Sequence, residues 1–164
     1  MARRQRALTI EDLAALARLA FGRHEPAQLY AAVDRLVGEV VGHKLFTLMR
    51  LHGTTEVERI YSSDEAAYPV GGRKSKVGTP WSAAVLDRGE VFVARNAEEV
   101  RSAFADHELI ASLGIGSIMN VPIGYRGGVL GTLNISHDAG WFTERDAEIG
   151  RLVASFVVPS LLAD

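Results

Sequence analysis

Ser117-Ile118-Met119-Asn120-Val121-Pro122-Ile123-Gly124-Tyr125, then Arg126-Gly127-Gly128, then Val129-Leu130-Gly131-Thr132-Leu133-Asn134-Ile135-Ser136-His137 is the stretch that decides the fold. Apolar and polar residues alternate on both sides of a turn. The two adjacent glycines supply the positive φ values that a tight hairpin needs. Met119, Val121 and Ile123 share one face of the first strand, and Asn120 and Pro122 the other. In the second strand Leu133 and Ile135 oppose Thr132, Asn134 and Ser136. One face is oily and the other mixed, so this is an antiparallel sheet covered differently on its two sides. The pair is expected to hold the sheet's centre.

Working outward, Thr143 with Asp146 three residues on forms a capping box, and Ile149, Leu152, Val153, Phe156 and Val157 follow on one helical face. Pro159 should kink or end that helix. Upstream, Asn96 caps a short helix running to Phe104, and residues 108–113 form one more turn. Residues 90–94 read as a short strand. Thr79-Pro80 reads as a cap with proline in the first turn of another short helix. Residues 44–52 and 55–63 flank Gly53-Thr54 as a first hairpin. Thr9 and Asp12 box the start of a helix over residues 9–22, and Pro26 opens a second to about Val41. Helices at both ends with an antiparallel sheet between them predict an α+β, three-layer α/β/α sandwich. The terminal helices lie on the oily face, and short helices and loops cover the mixed one. Buried amides and hydroxyls there must find partners, which a bound solute can supply.

The 164 residues suit one domain, an N-terminal helix over 1–24 followed by 25–164. Net charge is −2, which argues against general nucleic-acid binding. The short basic end at Arg3, Arg4 and Arg6 is read as a frayed terminus. The chain has no cysteine, which removes disulfides, thiolate nucleophiles, cysteine-ligated zinc and thioether-linked chromophores. No apolar run of membrane-spanning length occurs, and Glu11 and Asp12 spoil a secretory signal, so a cytoplasmic protein is expected. His24, His43, His52, His107 and His137 show no metal-ligand spacing, so neither metal nor cofactor is expected.

Three segments together resemble the GAF domain family: residues 113–123 with their Val121-Pro122-Ile123, Gly131-Thr132-Leu133-Asn134-Ile135, and Trp141-Phe142-Thr143-Glu144-Arg145-Asp146. The resemblance covers roughly residues 25–162 and implies a small-molecule-sensing domain of bacterial-regulator type. Phytochrome-like members attach bilin through cysteine, and the free methionine sulfoxide reductases of this fold use catalytic cysteines; this chain has neither. It keeps Phe142 and Asp146 of the cyclic-nucleotide signature but carries Ala147 where the glutamate belongs and lacks the Asn-Lys. What the family implies here is a pocket. With no output domain in the sequence, a signal would pass to an effector protein or through a homodimer built on the terminal helices.

Candidate pocket residues follow from side-chain chemistry. If Ile60 joins the oily face, Arg59 and Tyr61 look into the mixed side, offering a guanidinium fork and a phenol; the plain alternative is a wet sheet face. Residues 68–81 are the most unusual segment: Tyr68 and Trp81 flank Arg73, Lys74 and Lys76, three cations among glycines leading to a helix N-terminus. It reads as a lid over a small anionic ligand, or as a solvated surface loop. The P-loop spacing is absent. Asn120 and Asn134, with Thr132 and Ser136 beside them, would set ligand orientation, or else bond to each other or to loop backbone. Asp106-His107-Glu108 reads as a solvated turn. In an enzyme acting on such a metabolite, His137 is the first acid/base candidate. A third possibility is an interaction module whose mixed face is filled by its own Tyr61, Tyr68 and Trp81.

Overall fold

The computed structural model describes residues 5–75 and 78–163, so Arg3, Arg4 and Lys76 lie outside the described residues. The chain runs α1 (Ile10–Phe21), α2 (Pro26–Val40), β1 (Leu45–His52), β2 (Glu56–Ser62), β3 (Arg73–Ser75) and α3 (Pro80–Ser82). A π-helical turn follows over Ala83–Asp87. Then come β4 (Phe92–Ala94), α4 (Ala97–Ala103), α5 (His107–Ser112), β5 (Ser117–Tyr125), β6 (Gly128–His137), α6 (Glu144–Ser155) and α7 (Val158–Leu162).

The capping boxes form where their spacing places them. Thr9 Oγ1 accepts from the Asp12 N–H while the Asp12 carboxylate takes the Thr9 N–H, and Thr143 and Asp146 repeat the arrangement at α6. Each box satisfies two amide donors that a helix start leaves open. Asn96 caps α4 by accepting from the Glu99 N–H. Thr79 departs from expectation: its side chain makes no capping bond, and its hydroxyl is buried with no partner among the described residues. Pro159 sits in the first turn of α7, so the expected break separates α6 from α7.

The sheet is antiparallel throughout, in the order β3-β2-β1-β6-β5-β4. Hairpins β1-β2 and β5-β6 are joined through the β1–β6 pair, so the centre is β1 and β6, and β5 is displaced toward the β4 edge. Gly131 makes the centre possible, because a Cβ there would stand 2.1 Å from the Met49 carbonyl oxygen. On one face Phe46, Leu48, Met119, Val121, Ile123, Leu133 and Ile135 meet Leu29, Val33 and Val37 of α2 and Ile149 and Val153 of α6 in the main core. On the other, Leu45, Met49, Val57 and Ile118 meet Trp81, Leu86, Val100, Phe104 and Ile110 in a second, smaller core. These are the three layers expected from the alternation, and the mixed face proves more apolar than its polar residues suggested. Among the described residues no helix is long and apolar enough to cross a membrane.

Candidate functional site

The central strands set out a row of polar groups across the second face. Register pairs Thr47 with Asn134 and Asn134 with Asn120, so three side chains from β1, β6 and β5 stand abreast. Asn120 Nδ2 donates to Asn134 Oδ1 (2.7 Å), and Asn134 Nδ2 donates to Thr47 Oγ1 (3.1 Å). Asn120 Oδ1 is left buried with no partner among the described residues. The mutual bond is one of the two arrangements open from sequence, yet both amides also line a cavity of about 40 Å3 above the row. In that measure one water needs about 10–15 Å3. The space thus holds roughly three waters or a correspondingly small solute.

Two cations enter this cavity from the β2-β3 edge. Arg59 is buried; its Nη1 donates to the Pro69 carbonyl (3.0 Å), its guanidinium lies 4.7 Å from the Tyr68 ring centre, and its Nε has no partner among the described residues. Lys74 is half-buried, its ammonium 5.3 Å from the Trp81 ring centre and 5.8 Å from that of Phe104, with those rings stacked at 6.3 Å. Burial pushes the pKa of Lys74 down from the ordinary lysine value and that of Arg59 from the arginine value; nearby Asp106 acts in the opposite direction on both. Tyr68 donates its hydroxyl to Asp106 Oδ2 (2.8 Å). Burial first, and this bond second, hold the phenol above its ordinary pKa. Leu45, Met49, Ile110 and Ile118 complete apolar walls.

Arg59, Tyr68, Lys74, Trp81, Asn120, Asn134 and Ser136 therefore line one cavity. Three other expected residues do not. Tyr61 faces the opposite side of the sheet, where its hydroxyl donates to Asp34 of α2 (2.7 Å) and its ring meets Phe46 and Tyr30. The cause is a β-bulge: Met49 pairs with Arg59 but Leu48 with Tyr61, so Ile60 is the extra residue and parity inverts across it. Arg73 also points away. In the three-residue β3, Lys74 is opposite Val57 of the second core, so its neighbours face outward, and Arg73 meets Glu56 (3.6 Å) and Glu58 (3.5 Å). Thr132 shares the cavity face of β6 and is fully buried, but it lies outside the lining, with its hydroxyl lacking a partner among the described residues.

His137 lies outside the cavity too. Its ring stacks on Trp141 with centres 3.5 Å apart, and its Nδ1 accepts from the Asp138 N–H (2.7 Å). The acid/base group of the enzyme reading is thus committed to a local stack. Asp106 was missed: the turn read as solvated turns one carboxylate inward to Tyr68. Only the aromatic partner, distant in sequence, distinguishes it from Glu108. Among the described residues no three His, Asp or Glu side chains gather as a metal site would require.

Structural relatives share this architecture. The GAF domain of a phosphoenolpyruvate-protein phosphotransferase from Coxiella burnetii superposes with a TM-score of 0.76 at 16% identity, over 94% of this chain and 92% of that one. The nlh2 GAF domain of A. aeolicus, in an inactive state, gives 0.73 at 15% identity over 94% of each chain. A type II free methionine-R-sulfoxide reductase from Thermoplasma acidophilum gives 0.68 at 19%, over 90% of this chain and 96% of that one. No curated protein matches the sequence. The GAF domain family model matches residues 25–161, so the chain belongs to the GAF domain family, whose members are regulatory and ligand-binding sensor domains.

Proposed function

We propose that this GAF domain is a cytoplasmic sensor that binds a small anionic metabolite between sheet and cover and passes the change to an effector protein through a homodimer. One observation carries the ligand reading: Arg59 and Lys74 converge on an apolar-walled cavity, and among the described residues neither has a carboxylate within ion-pair distance. Asp106 in the same lining offsets one of the two cations, so taking the pair out of water leaves one positive charge uncompensated, a cost that an anionic occupant would repay. Tyr68 and Trp81 give the cavity aromatic walls, and Asn120, Asn134 and Ser136 offer hydrogen bonds across its floor.

The test is a thermal-shift screen of small carboxylates and phosphates on wild type and Arg59→Met. A ligand at 100 times its Kd adds about 2.7 kcal/mol. Stabilisation of wild type alone supports the reading, and no stabilisation by any anion removes it.

A specific observation favours one other reading. Tyr68 and Trp81 are buried in the second core and leave only about 40 Å3. This suits an interaction module whose pocket has closed on its own side chains. It predicts that no solute in the screen shifts the melt, while the dimer persists.

The terminal helices offer the dimer surface. In α1, Leu16 is buried toward the core while Ile10 and Phe21 are 77% and 95% exposed. Single exposed apolar residues are ordinary; two ends of one helical stripe are a surface another copy can cover.

A further inference from the structure

The row Asn120-Asn134-Thr47 has a direction. The amides donate in one sense, from β5 through β6 to β1, so the group left over at the β5 end of this cavity-lining row is an acceptor, Asn120 Oδ1, buried and, among the described residues, without a partner. A ligand that only accepts hydrogen bonds leaves that oxygen unsatisfied, whereas an O–H or N–H completes the row. Charge adds a second constraint. Arg59, Lys74 and Asp106 are the formally charged side chains among the lining residues, and in their charged forms they sum to one positive charge. A monoanion brings the cavity to neutrality; a dianion would leave a surplus negative charge close to Asp106. The apolar walls and the small volume limit the remainder to a short carbon skeleton.

On the reading that this cavity is the ligand site, we propose that its occupant is a short monocarboxylic acid that carries an O–H or N–H donor, a hydroxy or amino acid. Its carboxylate meets Arg59 and Lys74 and its donor meets Asn120 Oδ1. The Asp106 carboxyl group, which accepts from Tyr68, lies beside the ligand and disfavours a second carboxylate.

Isothermal titration of the full chain with lactate, 3-hydroxypropionate, alanine, propionate, pyruvate and malonate tests this on acids of one size. At least one of the first three should bind about 10-fold or more tightly than propionate, because a site built around a hydrogen-bond donor rejects the analogue lacking it. Malonate should bind no better than propionate. In Asn120→Leu the advantage of the donor acid should shrink to within about 3-fold, with propionate affinity retained; should that variant not fold, the wild-type series still decides. Pyruvate matching the best donor acid would mean the amide row runs the other way, and malonate binding tightest would mean the charge balance is wrong. Either overturns the proposal while leaving the anion site standing. If no acid binds wild type, the site reading itself falls, and this proposal falls with it.

Discussion

Lys74 holds its ammonium against two aromatic faces with, among the described residues, no carboxylate within ion-pair distance, and burial depresses its pKa while nearby Asp106 partly opposes the shift. Cation–π contact recovers part of the lost hydration, about 0.5–1 kcal/mol per good contact, and leaves a net cost. Lys74→Met keeps an unbranched chain over Trp81 and Phe104 and removes the charge. It should raise stability by ~1 kcal/mol in urea denaturation while abolishing anion binding by calorimetry. A loss of stability beyond ~1 kcal/mol would show that the charge supports the fold instead. The pH dependence has a defined sign. With the folded pKa below the unfolded 10.5, the unfolded chain carries more protons between the two values. Stability relative to Lys74→Met therefore rises with pH through that window. Anion affinity falls across the same window as the cation discharges. Tyr61 and Tyr68, both raised above 10.0, act oppositely: the stability they carry is present below pH 10 and is lost as pH climbs past it. Denaturation and titration at several alkaline pH values would separate the two, and a flat difference curve would remove Lys74 from the account.

Elements whose signals are local could be read from the chain. The β5-β6 alternation assigns Met119, Val121, Ile123, Leu133 and Ile135 to the main core, and the boxes at Thr9 and Thr143 start α1 and α6. The β2 bulge could not be read. Residues 58–63 alternate plainly, and only the pairing with Leu48 and Met49 shows that Ile60 is out of step and Tyr61 reversed. Nor could β3, since three residues carry no period and only the partner Val57 separates Lys74 from Arg73. Asp106 depends on a tyrosine 38 positions away. Two substitutions test the elements that were legible. Asp146→Ala removes a buried carboxylate that takes both the Thr143 N–H (2.8 Å) and its hydroxyl (2.9 Å) at the start of α6. It should cost about 1–2 kcal/mol by chemical denaturation, and a change below ~0.5 kcal/mol would show the box to be dispensable. Gly131→Ala drives a methyl against the Met49 carbonyl and must prise β1 from β6. We expect a loss of ~3 kcal/mol or more, because backbone on both sides leaves nowhere to relax.

At the scale of the molecule, the sheet is enclosed on both sides, but α1 is not. Its inner face supplies Leu16 to the main core, while Ile10, Ala14, Ala17 and Phe21 recur at intervals of four, three and four along the other side. Alanines between two large ends allow a second helix to approach closely, which is how a pair of α1 helices would bury Ile10 and Phe21 together. Phe21 contributes almost nothing to the monomer, being 95% exposed, so Phe21→Asp separates assembly from folding. We expect wild type to run as a dimer by light scattering at tens of micromolar and Phe21→Asp as a monomer. The melting temperature of the variant should then depend less on protein concentration than that of wild type, because association stabilises only the folded state. A wild-type monomer at those concentrations would remove the dimer from the proposed signalling route. If instead Phe21→Asp stays dimeric, the contact must be sought on α6 and α7, where Leu152 and Leu162 are the other half-exposed apolar residues of the terminal helices.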